Sequence, residues 1–279
     1  MADIPKTTVG SAPLPAPLRP RDERRWKHFD RYWLLLVGAI ALAIFLYVAF
    51  PERYGVILRF VIGTYGEGDG VFLTLKLTIV SFLFIVLVGM VMGVARVANV
   101  GLLRGISSVY VEVVRGVPVL VWLLWLYYGI PVLFREIPAL SELKIRDFTA
   151  AVIAFTFAYG AYMTEVFRAG IQSIAKGQME ASRSLGMNYI QAMRYIILPQ
   201  AVRVILPPMS NEFVTLLKDS ALVSILGLPD LTRRGREYVG RTFQSFDTYL
   251  IVALLYLILT VLFTRLSTSL ERRMAVERR

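Results

Sequence analysis

The chain has 279 residues, of which 56% are hydrophobic and only 18% charged, and its mean hydropathy is +0.60. That balance excludes an ordinary soluble domain and points to an integral membrane protein, with a net charge of +11 to be accounted for by its surroundings. Cysteine is absent and the single histidine, His28, stands in a basic tail without ligand-type neighbours, which excludes disulfides and thiolate metal sites and argues against any metal centre.

Residues 1–31 are rich in Pro, Ala and Arg and lack apolar periodicity. They read as a basic cytoplasmic tail, its first part disordered and its RDERRWKHFDR stretch interfacial. A hydrocarbon core of about 30 Å needs about 20 apolar helical residues. Six segments qualify: 33–50, closed by Pro51; 71–94; 109–130, closed by Pro131; 148–167; 204–226, the least clean; and 249–266. The polar region before the first is too long for a secretory signal and no small-x-small cleavage site follows Phe50, so an uncleaved N-terminal span over 32–50 is expected. Within 51–70, the apolar stretch 54–65 is too short to cross and is placed along the outer, periplasmic interface. Lipid cannot satisfy backbone polar groups, and no period-two pattern suggests a barrel, so the spans are expected to be helices. The fold class is an all-α integral membrane bundle, with a transmembrane domain over 71–270 and a basic cytoplasmic end at 271–279. No internal repeat is visible, which weighs against an inverted-repeat secondary transporter.

Lys and Arg in alternate loops set the orientation. Nineteen fall with the two termini, the loop after the second span and the segment 168–203, against nine in the other loops. Both termini and the 177–199 loop are therefore expected on the cytoplasmic side. The positive charge is assigned to anchoring on anionic headgroups, with no need for nucleic acid. One loop departs from the rule: Arg233, Arg234, Arg236 and Arg241 fall on the outer side, so either they face a periplasmic partner or surface or the fifth span is misplaced, and the first is preferred because the remaining loops agree. Lys76, near the outer end of the second span, is expected to snorkel.

The polar segment 177–199 is built by local rules. Gly177 and Gly186 bracket a short helix, Gly186 suiting the left-handed residue beyond a helix end. Asn188 caps a second helix, with Gln191 as its capping-box partner, and Pro199 discourages continuation. Ala181, Ser182 and Leu185 are placed on one face of the first helix, a small shallow surface of the kind that fits a groove on another protein.

Glu180, Ala181, Ser182, Gly186 and the run Ile196, Ile197, Leu198, Pro199 resemble the EAA loop of bacterial ATP-binding-cassette importer permeases. The similarity extends from about Thr74 to Leu270 through TLKLTIVSF, YVEVVRGVPVLVWL, AYMTEVFRAGIQSI and NEFVTLLKDSALVSILGLPDL, in the manner of the polar amino-acid permease branch. Ser182 stands where the loop's second alanine belongs, and Ala175 where a proline is common. The resemblance implies a type I importer bundle, here a five-helix core plus one extra N-terminal span, in the bacterial inner membrane. It implies a homo- or heterodimer of permease subunits, two cytoplasmic ATPase subunits and a periplasmic amino-acid-binding protein. Glu180, Ala181, Ser182, Leu185, Gly186, Ile196, Leu198 and Pro199 would then dock on the ATPase. The chain has no GxxxxGK[ST] loop, so ATP and Mg belong to the partner, and this chain is expected to bind no cofactor and to have no catalytic residue.

Charged residues inside spans are functional candidates, since each costs roughly 2.5 to 3.5 kcal/mol at mid-membrane on insertion scales. In the fifth span Asn211, Thr215 and Lys218 share one face, and Glu212, Thr215 and Asp219 an overlapping one. The stripe reads either as a water-accessible pathway, Lys218 drawing a substrate carboxylate and Glu212 or Asp219 its ammonium, or as a structural ion pair between helices. Glu112 with Arg115 and Glu165 with Arg168 are spaced i, i+3, and interfacial salt bridges are the preferred reading of both. Gly116 and Pro118 suggest irregular backbone there, which is tolerated at depth only against protein or water. An ion-coupled secondary transporter or channel would use the same charges without an ATPase.

Overall fold

The computed structural model describes residues 23–63, 69–98, 100–137 and 145–275. The stretch predicted to be disordered at the start of the tail, the end of the 54–65 segment, Lys144 and the last four residues lie outside these.

Helix α1 (Glu23–Ala49) begins ten residues ahead of the apolar run. Phe50 leaves helical geometry and Pro51 opens a π-helical turn, Pro51–Gly55, into α2 (Val56–Ile62). Proline offers no N–H and its ring displaces the carbonyl four residues back, so the chain turns here, by 109°. Then follow α3 (Val71–Val97), α4 (Gly101–Arg115), α5 (Val119–Leu124) running through the π-turn Trp125–Gly129 into α6 (Ile130–Glu136), and α7 (Asp147–Gln172). Next come α8 (Lys176–Ser184), α9 (Tyr189–Ala192), the π-turn Met193–Ile197, α10 (Leu198–Asp219) prolonged as a 3-10 helix over Ser220–Leu226, α11 (Leu231–Thr242) and α12 (Ser245–Ala275).

Among the described residues, four helical stretches are long and apolar enough to cross a bilayer: Val71–Val97, Val119–Glu136, Asp147–Gln172 and Ser245–Glu271. The bent pair Trp33–Ala49 and Pro51–Ile62 is a fifth. α10, which covers most of the fifth expected span, has the length but is too polar to count among them. The third expected span needs correction. It is not one helix over 109–130 but starts at Gly101 and breaks at residues 116–118, where Pro118 has extended backbone (φ −57°, ψ 140°) and starts a new helix. Proline removes the N–H that would continue α4, and the residue before it is pushed out of the helical region.

α3 and α7 form the rigid centre. Gly89 packs on Met163 and Gly93 on Phe167, an advance of four residues in each helix, so the two run parallel at close approach. A Cβ at Gly89 would overlap the Met163 side chain and lie 3.0 Å from its backbone carbonyl carbon. Around this pair the core buries Leu77, Ile85, Leu123, Phe155, Ile205 and Leu216. α4 is fastened to it by polar contacts that cost nothing unpaired: Ser107 Oγ donates to the Met92 carbonyl at 2.8 Å and Tyr110 Oη to the Phe157 carbonyl at 2.7 Å. Phe213 of α10 sits between Phe82 of α3 and Phe263 of α12, with ring centroids 5.0 Å apart in both pairs.

At the end of the bundle away from α8, α2 lies against α11 and α12. Arg53 pairs with Asp247 at the start of α12, and Tyr54 Oη donates to the same carboxylate at 2.8 Å. One of the four anomalous arginines, Arg234, does not face outward as expected. The guanidinium carbons of Arg234 and Arg241 lie 4.9 and 5.2 Å from the centre of the Phe60 ring, Arg234 is buried, and Glu237 takes Arg233 at 3.0 Å. Arg234 is thus drawn inside the fold, while Arg236 and Arg241 stay exposed. Lys76 lies on the same end with its ammonium 5.0 Å over the Phe148 ring.

Asp230, fully buried outside the crossings, caps α11 by accepting from the Thr232 and Arg233 N–H groups at 3.0 and 2.9 Å. Burial outweighs those bonds and pushes its carboxyl up to about 6. A carboxyl raised in the folded state contributes stability at low pH that is lost as pH rises through its folded value. Asp230→Asn, which keeps the cap, is expected to remove a fall in unfolding temperature between about pH 4 and pH 6, read by thermal denaturation of the detergent-solubilised chain. An unchanged slope over that window would show that Asp230 does not titrate as described.

Candidate coupling hairpin and polar pathway

The hairpin from α8 to the π-turn has the local design read from its residues. Gly186 is left-handed (φ +83°), Met187 N–H donates to the Ser182 carbonyl at 3.1 Å and Gly186 N–H to the Arg183 carbonyl at 3.0 Å, the paired bonds of a Schellman end. Asn188 and Gln191 exchange the two capping-box bonds, both at 2.9 Å. Three details differ from expectation. Gly177 lies inside the first turn of α8. Ser182 does not share the exposed face with Ala181 and Leu185; it is 4% exposed, its Oγ bonded to the Gln178 carbonyl at 2.6 Å, so only a small residue fits there. Pro199 does not end the helix, because the wider π-turn over Met193–Ile197 takes up its ring and missing donor, and the helix runs on as α10.

What the hairpin presents is apolar. Leu185, Ile190 and Tyr195 are 81%, 74% and 61% exposed, beside exposed Glu180 and Arg183. Ile197 is buried under it, and Ile196 and Leu198 are half-buried. The hairpin is therefore rooted in the core while Leu185, Ile190 and Tyr195 stay exposed on its outer side, the Tyr195 ring meeting only the Arg194 guanidinium among the described ring contacts, at 5.7 Å.

Just inside the hairpin, Glu165 receives two arginines. Arg168 bonds it at 2.7 Å, as the spacing predicts, and Arg96 of α3 reaches it from the other side, a partner that lies 69 residues away in sequence. Arg115 does not follow the parallel expectation. No ion pair joins it to Glu112; its guanidinium carbon lies 5.3 Å over the Tyr162 ring of α7. Because α4 begins at Gly101, Arg115 is about 21 Å along the helix, at 1.5 Å per residue, and not near the membrane surface.

On α10, Asn211, Thr215 and Lys218 form an exposed face, the Thr215 hydroxyl already bonded to the Asn211 carbonyl at 3.0 Å. Glu212 and Asp219 are half-buried on the adjoining side. Asp219 accepts from Tyr159 Oη, not from Lys218. Arg115 and Asp219 are the charges that act on Glu212. The structure so gathers Arg115, Tyr159, Tyr162, Glu212 and Asp219 from three helices. The two tyrosines were not identified from sequence; their signal was two polar-tipped rings, i and i+3, on an otherwise apolar helix. A crevice of about 340 Å³ separates α7 from α10 below them, lined by Glu165, Val166, Ala169, Gly170, Val204 and Pro208.

Residues 85–276 match the family described as binding-protein-dependent transport system inner membrane component. The chain is 37% identical over 203 residues to the probable amino-acid permease protein YxeN of Bacillus subtilis strain 168, covering 73% of this chain and 88% of the relative. It is 33% identical over 208 residues to the glutamine transport system permease protein GlnP of Escherichia coli K12, covering 75% and 92%. Among solved structures, a chain from a crystal structure of an amino acid ABC transporter with histidines superimposes with a TM-score of 0.66 at 40% identity, over 73% of this chain and 92% of that one. These matches decide against the ion-coupled secondary transporter or channel. The family match begins inside α3, so α1 and α2 precede it. With a helical bundle, a hairpin rooted in its longest polar helix and homology over most of its length, the chain belongs to the binding-protein-dependent transport system inner membrane components, the permease subunits of ABC importers.

Proposed function

We propose that this chain, with a second permease subunit identical or homologous to it, forms the path of a polar amino acid across the bacterial inner membrane. Two ATPase subunits, which hold the ATP and Mg, drive the cycle, and a periplasmic amino-acid-binding protein delivers the cargo. The observation that carries this reading is the exposed apolar triplet Leu185, Ile190 and Tyr195 on a hairpin outside the crossings, which needs a protein surface to cover it. The count of Lys and Arg supports placing that hairpin and both termini in the cytoplasm. The exposed polar face of Asn211, Thr215 and Lys218 cannot lie in lipid, so it faces water or the second subunit.

Motion passes along α10. Because the π-turn joins the hairpin to α10 without a break, a push on α8 and α9 is carried into that helix. Pro207 and Pro208 remove two successive N–H donors from its middle and let it flex there. The crevice beside Pro208 gives the lower half of α10 room to close on α7, while the upper half carries Glu212, Lys218 and Asp219. This is a hinge-type switch between outward- and inward-open states. Reconstituted with its ATPase and binding protein, the chain is expected to take up amino acid only with ATP. Uptake by ATP-depleted vesicles on an ion gradient alone would refute the coupling.

A further inference from the structure

We infer that the corner between α11 and α12 holds the headgroup of an anionic phospholipid, in the leaflet at the end of the bundle away from the hairpin. Arg241 takes the phosphate, and the Phe243 and Phe246 rings sink among the acyl chains. Phe243 ends α11 in the left-handed region (φ 59°), where a chain ordinarily places Gly or Asn. The bulky ring held in that conformation is 87% exposed, and Phe246, three residues on, is 77% exposed. Two open phenyl rings at one turn, one of them on strained backbone, mark a surface that meets something less polar than water. α12 is a crossing and begins at Ser245, so both rings stand at the edge of the hydrocarbon. Phe246, Tyr249, Ala253 and Leu257 are all exposed at helical spacing, so the aromatic corner heads the lipid-facing stripe of α12.

The charge beside these rings is undercompensated. Glu237 serves Arg233 at 3.0 Å and Arg234 at 3.4 Å, two guanidiniums on one carboxylate. Arg241 is exposed, its guanidinium carbon 5.2 Å from the centre of the Phe60 ring of α2, and it has no carboxylate partner among the described residues. Three arginines thus share one glutamate at the rim of a crossing, on the side where the basic-residue rule predicts few. A phosphodiester supplies the missing negative charge, and the guanidinium fork matches its paired oxygens. A protein docking from above would meet Arg236, which lies about 140° round α11 from Arg241, but not a stripe that runs down into the bilayer. Held by lipid, α11 gives the outer end of α10, joined to it through residues 220–230, a fixed point in the membrane.

The chain has no cysteine, so Gln244→Cys, between the two phenylalanines, takes a single bimane label. The labelled chain, assembled with its ATPase, is reconstituted in mixed phosphatidylcholine and phosphatidylglycerol vesicles in which a small fraction of one lipid or the other carries a nitroxide on its acyl chain, and quenching of the label is read. Nitroxide phosphatidylglycerol is expected to report a local excess of about five-fold over nitroxide phosphatidylcholine, the scale of one arginine near an anionic surface. Arg241→Gln is expected to remove most of that excess, and Arg236→Gln to leave it in place. Phe243→Ala combined with Phe246→Ala is expected to lower quenching by both lipids alike. Equal quenching by the two lipids in the labelled chain overturns the headgroup site without any further variant having to fold. An excess undiminished by Arg241→Gln, or abolished as fully by Arg236→Gln, overturns it as well. A label that neither lipid quenches overturns the membrane contact altogether, and shielding of that label by added periplasmic binding protein would make the corner a protein-docking surface instead.

Discussion

Replacing Gly186 by valine is expected to lower substrate-stimulated ATP hydrolysis and uptake by at least ten-fold while the chain stays folded in the membrane. Gly186 has φ +83°, and nothing lies within 4 Å of the position a Cβ would take, so the penalty is backbone strain and not a clash. An L-residue pays about 1–2 kcal/mol in the left-handed region, and a β-branched one is a marked outlier there. The cheapest escape is to give up the Schellman bonds from Gly186 and Met187, which changes the angle between α8 and α9. Leu185 and Ile190, on either side of the turn, then cease to present one surface. Gly186→Asn, which tolerates the conformation, should retain most of the activity, and adding Glu180→Lys to the valine variant should deepen the loss. Wild-type stimulation in the doubly altered chain would show that the hairpin is not the coupling element.

A second large effect is expected at the opposite extreme of packing. Gly89→Leu should cost about 2–3 kcal/mol through overpacking, a drop of about 5–10 °C in unfolding temperature for a chain of this size. The side chain would drive into Met163 and its backbone, and α7 cannot retreat because Phe167 and Gly93 hold the next contact along. Gly38→Leu, on α1 with open space around it, serves as the control and should change little. Thermal unfolding with size-exclusion profiles separates the two. Equal melting of both variants would remove α3 and α7 from their place as the rigid centre.

How much of this was legible in sequence differs from element to element. The hairpin was legible because caps depend on neighbours in the chain: Asn188 and Gln191 are three residues apart, and the bonds they make need nothing else. The inward turn of Ser182 was not, since which side of an amphipathic helix meets the core depends on what lies beneath it. Gly116 and Pro118 signalled irregular backbone correctly, but the chain could not say that α4 began early enough to carry Arg115 into the bundle. Gly89 and Gly93 carried a readable sign in their four-residue spacing, though spacing alone does not name Met163 and Phe167 as what they meet.

By itself the sequence determined the membrane class, the crossings other than the third and the fifth within a few residues, the hairpin's caps and the family likeness, all of which rest on hydropathy and on short-range patterns. Only the tertiary structure decided the partners of the charges. Arg96 joined Glu165, Tyr159 joined Asp219 across sixty residues, Arg234 turned in to Phe60, and Arg115 left Glu112 for Tyr162. The physical reason is that a charge inside a bilayer takes whichever compensating group the packed helices bring near it, and the nearest group in space is seldom the nearest in the chain.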